Sequence, residues 1–110
     1  ETYENGNIKS ITYHKETQNG IEKVKYKEYR KNGTKREEET FKNGEKDGLW
    51  TSWYENGNKK RVENYKDGKS DGKYTEWYEN GQKDEEVKFK DGKIVNFYSL
   101  QQLIPLSNNN

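Results

Sequence analysis

The sequence contains no cysteine, a single histidine and a single proline, and it lacks long apolar runs. Without cysteine, a disulfide framework, a thiolate metal site and a thiol nucleophile are all excluded. No run approaches the roughly 20 apolar residues that a membrane-spanning helix needs, and no apolar signal-peptide core stands at the start. Because the chain begins with Glu1 and not with Met, we expect the natural N-terminus to lie upstream. The sequence therefore predicts no cellular compartment.

Apolar residues are scarce, at 25% of the 110 residues, whereas charged residues make up 37%. Typical globular chains have roughly 45 to 50% and about 25%, so a conventional packed core is not expected. Disordered chains usually combine low hydrophobicity with high net charge and few aromatics. Here the net charge is +1 and aromatics reach 14%. The composition predicts a folded, aromatic-rich β protein, and the balanced charge argues against a nucleic-acid partner.

Glycine positions reveal an internal repeat. They form two series that share a period of 24 residues. The first series is Gly33, Gly57 and Gly81, and the second is Gly20, Gly44, Gly68 and Gly92. A fixed period of 20 to 50 residues is typical of arrays in which each unit stacks on its neighbour. We predict about four units within residues 1–98, followed by an apolar cap or linker and a polar tail at 99–110.

Turn signals divide each repeat into two strands. Asn-Gly or Asp-Gly between aromatic and β-branched residues is a strong hairpin signal, because a type I′ turn needs positive φ at both central residues. We predict that turn at Asn56–Gly57 and at Asn80–Gly81. No interval free of turn signals is long enough for a helix of average length. The sequence therefore predicts an all-β antiparallel meander with two strands in each repeat.

Superposing the repeats aligns the aromatic residues in columns. These columns are Tyr26, Trp50, Tyr74 and Tyr98; Tyr29, Trp53 and Trp77; Phe41, Tyr65 and Phe89; and Tyr54 with Tyr78. Strand residues alternate between faces, so we expect Trp50 and Tyr54 on one face and Trp53 on the other. A one-residue change in hairpin register would exchange the two faces. Both faces of the sheet are therefore predicted to carry aromatic residues.

This pattern resembles the MORN repeat in its bacterial variant. The residues that carry the resemblance are 50–57 with 65–72, and 74–81 with 89–93. The resemblance extends over roughly residues 3–98. It implies a single-layer, twisted antiparallel sheet of stacked β-hairpins that serves as a scaffold and contacts proteins or lies near membranes. It also implies an antitoxin-like role, because bacterial relatives are often labelled antitoxins. The kinase motifs of some eukaryotic members are absent.

We expect no catalytic residue, no cofactor and no metal site, and hence no enzyme. His14 has no partner at a set spacing. The acidic triplets at 37–39 and 84–86 cannot converge on one ion, because consecutive strand residues point to opposite faces. The charged columns Lys35, Lys59, Lys83 and Glu37, Arg61, Glu85 are expected to be solvated.

Exposed aromatic ladders are what interfaces use as anchors. The candidate anchors are Tyr29, Trp53 and Trp77, followed by Trp50, Tyr54 and Tyr78. Alternatively, the open strand edges could accept a partner strand or a second copy of the chain. A third hypothesis is a peripheral module that contacts membrane lipid or carbohydrate, with Lys59, Lys60 and Arg61 beside the aromatics. A fourth is an antitoxin or immunity-type binder.

Overall fold

The computed structural model describes the backbone of residues 1–99 and the side chains of residues 1–97. Ten strands are found in this range. They are β1 (Ser10–Thr17), β2 (Gly20–Tyr29), β3 (Lys35–Lys42), β4 (Glu45–Lys46), β5 (Gly48–Trp53), β6 (Lys59–Lys66), β7 (Lys69–Ser70), β8 (Gly72–Trp77), β9 (Lys83–Lys90) and β10 (Lys93–Ser99). No helix occurs among the described residues, so none there could cross a membrane.

The strands form one open antiparallel sheet in chain order. The long strands follow each other as β1, β2, β3, β5, β6, β8, β9 and β10, while the two-residue strands β4 and β7 pair with β3 and β6. This arrangement confirms the predicted all-β meander of hairpins. Except for Ser99, the predicted C-terminal cap or linker at 99–110 lies outside the described residues.

The sheet is a single layer. The Cα atoms span 59 × 38 × 11 Å, which leaves no room for a second sheet on either face. Among the described residues only Val87 and Thr75 are buried, at 4% and 5% exposure. This agrees with the expectation that the described part of the chain has no conventional core. Stability must come from ladder hydrogen bonds and from side chains that pack along each face.

Three glycines of the second series, Gly44, Gly68 and Gly92, form a different turn from the first series, and our prediction for the first series was wrong. Asn43, Asp67 and Asp91 have positive φ, and each precedes a glycine with positive φ, which is the type I′ pattern. At the other end of each hairpin, Gly57 has a φ of 92° but Asn56 does not enter the positive region. There the amide of Gly57 donates to Tyr54 O and the amide of Tyr54 donates to Asn58 O. This is a three-residue loop closed by a glycine bulge.

β-Bulges recur at the same place in every repeat. The register shifts between Glu28 and Tyr29, between Ser52 and Trp53, and between Glu76 and Trp77. The extra residues on the partner strands are Arg36, Lys60 and Asp84. Since a bulge interrupts the strict alternation of side chains, these positions decide which residues beyond them share a face.

Neighbouring hairpins are joined along one rim by side chains that reach the next backbone. The Tyr54 hydroxyl donates to Trp77 O at 2.6 Å, and Arg30 Nη2 donates to Trp53 O at 2.7 Å. In the first unit, the Tyr3 hydroxyl donates to Tyr29 O at 2.7 Å. Residues at equivalent repeat positions therefore make equivalent bonds, which is how one unit fixes the position of the next.

Candidate functional site: two faces of the sheet

The pairing register assigns each side chain to a face, because directly opposite residues share a face and successive residues alternate. On this basis one face carries six glutamates in the middle of the sheet and is called the Glu face. They are Glu28, Glu37, Glu39, Glu63, Glu76 and Glu85. The opposite face carries Tyr29, Trp53 and Trp77 and is called the Trp face.

Aromatic rings pack in a row along the Glu face. The Trp50 ring lies 5.2 Å from Phe41 and 5.5 Å from Tyr65, centroid to centroid, with both contacts edge-to-face. In the next repeat, Tyr74 and Phe89 form a similar pair at 6.2 Å. Trp50 Nε1 also donates to Thr40 O at 2.8 Å. In a sheet without a core, this row provides the main apolar packing on this face.

Two lysines of the chain lie over these rings. Lys46 Nζ is 4.4 Å from the centroid of Trp50 and 4.9 Å from that of Tyr65. Lys23 Nζ is 4.2 Å from the centroid of Phe41. These are cation–π distances. The Glu face therefore holds ammonium groups of its own chain against the rings of Phe41, Trp50 and Tyr65.

The carboxylates of the Glu face outnumber its cations. Burial raises the pKa of two of these carboxyl groups. Desolvation, followed by repulsion from Glu37, raises the pKa of Glu39. Desolvation and a hydrogen bond with Glu76 raise the pKa of Glu85. Burial, together with the hydrogen bond to Glu63 at 2.5 Å, raises the pKa of Tyr65 to about 12. Within the described residues, no three acidic or histidine side chains are arranged to hold a metal ion.

Replacement of Glu39 by glutamine is expected to raise the free energy of unfolding at pH 7 by about 0.5 kcal/mol, because it removes a desolvated charge beside Glu37. The folded-state pKa of Glu39 is raised, so the wild-type carboxyl contributes its stability below the unfolded pKa and loses it as pH rises through the folded pKa. The advantage of the variant should therefore disappear below about pH 4. Urea unfolding at both pH values measures it, with the exposed turn residue Glu55→Gln as control. A gain that is equal at both pH values would contradict this explanation.

Lysines accompany the aromatic residues of the Trp face. Tyr29 pairs with Lys35, Trp53 with Lys59, and Trp77 with Lys83. Lys35 Nζ also lies 5.3 Å from the centroid of the Trp53 ring. Further lysines of this face are Lys25, Lys27, Lys73 and Lys88, and its central acids are Glu38 and Glu86. The two faces of a nearly neutral chain therefore carry opposite charge.

The six predicted anchor residues do not form one surface. Tyr29, Trp53 and Trp77 are half-buried on the Trp face. Trp50 lies on the Glu face, where neighbouring rings cover it. Tyr54 and Tyr78 lie in the hairpin loops; the Tyr54 hydroxyl is used between repeats, and Tyr78 is 38% exposed.

The glutamates and Lys46 did not stand out as functional residues in the sequence. Their shared face depends on the cross-strand register, and the repeat period does not encode that register. The basic triplet at 59–61 is also divided. Arg61 pairs with Ser52 and Glu76 on the Glu face, whereas Lys59 pairs with Trp53. The three residues are not one basic patch.

A family model described as the MORN repeat variant matches residues 18–43, 46–67 and 70–91. The chain belongs to the MORN repeat variant family. The three matched MORN segments contain the hairpins β2–β3, β5–β6 and β8–β9, and they are separated at the type I′ turns. No match was found among curated proteins or among solved structures. MORN repeats are generally protein- or membrane-interaction repeats and are typically non-enzymatic.

Proposed function

We propose that this MORN array is a non-catalytic scaffold that binds a protein through its Trp face, with Tyr29, Trp53 and Trp77 as anchors. The observation that carries the proposal is the single-layer sheet, 11 Å thick, over whose Trp face residues 1–97 place no second layer. Equivalent residues lie two strands apart, about 9.5 Å, so the three aromatics present a regular row. Aromatic anchors at such spacing fit a protein surface with complementary pockets.

The lysines around this row support an acidic partner surface. Each anchor stands opposite a lysine in the register, so every contact offers an aromatic ring and an ammonium group together. Ammonium groups at the rim of an interface accelerate association and disfavour basic competitors more than they add affinity. The partner is therefore expected to combine apolar side chains with carboxylates.

An anionic membrane surface is a second candidate, and a specific observation favours it. The lysines of the Trp face are spread over its width, at Lys25, Lys27, Lys73 and Lys88. Lysines close to a membrane are each attracted to anionic lipid by about 1 kcal/mol, an effect that salt screens. The basic triplet at 59–61 does not contribute as a unit, because Arg61 lies on the other face.

Affinity capture from source-cell lysate tests the protein-binding proposal. The Trp53→Ala/Trp77→Ala variant is compared with wild type and with Ile94→Ala, which removes an exposed side chain, 59% accessible, from the Glu face. Circular dichroism first confirms that all three fold. We expect a stoichiometric protein to bind wild type and Ile94→Ala and to be retained more than tenfold less by the tryptophan variant.

Cosedimentation with phosphatidylserine and phosphatidylcholine vesicles separates the two candidates. Binding to phosphatidylserine that falls steeply between low and physiological salt would support the membrane function. If no protein is retained in the capture experiment, or if both variants retain it equally, the Trp face is not the protein-binding surface. An antitoxin-type role is a narrower form of the same proposal, in which the captured protein is a toxin that the array neutralises.

A further inference from the structure

Consecutive repeats differ at one position of the Glu face that decides whether a cation is present. Lys46, in β4, stands opposite Phe41 of β3. One period later the equivalent residue is Ser70, which pairs with Tyr65 in the same way. The backbone environment is thus repeated, but the ammonium group is not.

The occupied position shows what this environment accepts. Lys46 Nζ lies between the rings of Trp50 and Tyr65, at 4.4 and 4.9 Å from their centroids. The charges of Lys23 and Lys46 partly offset the rise in the pKa of Glu39, so both ammonium groups also act on a carboxyl of this face. The site combines two aromatic faces with carboxylates, which is a favourable environment for an alkylammonium ion.

The equivalent position in the following repeat has two aromatic rings in the corresponding places and, within residues 1–97, no cation over them, although Val87 stands opposite Tyr74 where Glu63 stands opposite Trp50. Tyr74 and Phe89 replace Trp50 and Tyr65, with their rings 6.2 Å apart and edge-to-face. Ser70 has a short, uncharged side chain, so it places no cation over these rings. Among the residues that the structure describes, no lysine or arginine lies over either ring at a cation–π distance.

Carboxylates lie close to this open position. Burial and then repulsion from Glu76 raise the pKa of Tyr74, the charge of Arg61 partly offsets the rise, and Glu63 and Glu85 add smaller contributions. Glu85 in turn shares a hydrogen bond with Glu76, and its own pKa is raised. Arg61 stands opposite Glu76 across the strands and forms an ion pair with Glu63 at 3.7 Å. A cation placed over Tyr74 and Phe89 would relieve the remaining repulsion between Glu76 and Glu85, which the described residues do not compensate.

We infer that the Tyr74–Phe89 position binds a lysine side chain from a partner polypeptide. Lys46 already fills the equivalent environment one repeat earlier, so the ligand chemistry is a primary ammonium on an aliphatic stem. A polypeptide fits better than a free amine because the six glutamates extend across β2 to β9. A basic segment lying across the strands can place one lysine in the open position and further cations over the remaining carboxylates.

The probe is a blocked peptide in which two lysines are separated by serine, titrated into the full chain and followed by NMR of the aromatic rings. Its control is the same peptide with both lysines acetylated, which keeps the stem and removes the charge. We expect selective shifts of Tyr74 and Phe89 with the lysine peptide and none with the acetylated peptide. Raised salt should weaken the binding.

Two substitutions exchange the occupied and open positions. Ser70→Lys fills the open position from within the chain, so we expect it to weaken peptide binding at Tyr74 and Phe89 at least about fivefold. Lys46→Ser opens the preceding position, so we expect new peptide-dependent shifts of Trp50 and Tyr65. If Lys46→Ser does not fold, Ser70→Lys alone decides the question.

Equal binding of the acetylated peptide, or peptide binding unchanged by Ser70→Lys, would overturn the inference and indicate diffuse attraction to the carboxylates. Absence of shifts would overturn it as well. Shifts produced equally by free butylamine would replace the polypeptide with a small amine as the ligand. The result is independent of the proposed Trp-face function, because Trp53→Ala/Trp77→Ala is expected to leave peptide binding at Tyr74 and Phe89 unchanged.

Discussion

Replacement of Trp50 by alanine is expected to lower the free energy of unfolding by about 3 kcal/mol, which is a large share of the stability of a domain of this size. Trp50 contacts Phe41 and Tyr65 edge-to-face and carries Lys46 over its ring. Alanine removes all three contacts and the apolar area that they cover. Because the side chain is half-buried, we expect the lower end of the range measured for core tryptophans.

Tyr74→Ala is the matched control, since Tyr74 occupies the same position one repeat later. It has one ring partner, Phe89, and no lysine over it. We therefore expect its loss of stability to be smaller by about 1 kcal/mol, roughly the size of one aromatic pair with a cation–π contact. Urea unfolding followed by circular dichroism measures both variants. Equal losses would mean that ring contacts do not determine the stability of the Glu face.

The sequence was sufficient to predict the architecture because local signals recur. The Asn-Gly and Asp-Gly pairs mark every reversal of the chain, and the residues between them favour strands. A meander is then the simplest topology, since short turns join only antiparallel neighbours. The composition argued against a conventional core, and the resemblance to MORN repeats implied the single layer of stacked hairpins.

The distribution of residues over the two faces could not be predicted in the same way. Simple alternation would put Lys59 and Arg61 on one face, since they are two residues apart. The extra residue Lys60 separates them, so that Lys59 pairs with Trp53 while Arg61 pairs with Ser52. No residue type in the sequence requires a bulge there, and only the pairing of complete strands reveals it.

The turn types were also ambiguous for a physical reason. Asn-Gly is favourable both in a type I′ turn and at the end of a three-residue loop with a glycine bulge. Asn56–Gly57 adopts the second form and Asn43–Gly44 the first. The difference is one residue of loop length. The register shift near the three-residue loop comes from a separate extra residue in the strand, which is Lys60 in this repeat.

Charge segregation follows from these register shifts and is invisible in the composition. The net charge of +1 suggests a surface of mixed charge, yet glutamates collect on one face and lysines on the other. Glu28 stands directly opposite Glu37, and Glu76 directly opposite Glu85. Like charges opposite each other are destabilising, and desolvation together with the contact to Glu76 raises the pKa of Glu85. A single-layer sheet can therefore present two chemically different surfaces to different partners.

Replacement of Gly48 by alanine is expected to destabilise the chain by about 3 kcal/mol, through backbone strain of about 1 to 3 kcal/mol and a displaced hydrogen-bonding side chain. Gly48 has a φ of 87°, and a Cβ there would lie 2.9 Å from Thr40 Oγ1. The Thr40 hydroxyl cannot move away freely, because it lies within hydrogen-bond distance of the carbonyl oxygens of Asp47 and Leu49 and donates its one proton between them.

Gly57→Ala separates the two contributions. Gly57 has a φ of 92°, but a Cβ added there would meet no atom within 4 Å, so only backbone strain remains and the expected loss is about 1 to 2 kcal/mol. A Thr40→Ala background should then reduce the cost of Gly48→Ala by about 1 kcal/mol, since the clashing hydroxyl is gone. Urea unfolding of the four variants of this cycle measures the coupling. If Gly48→Ala and Gly57→Ala cost the same and the cycle shows no coupling, the close approach to Thr40 is not what requires glycine at the start of β5.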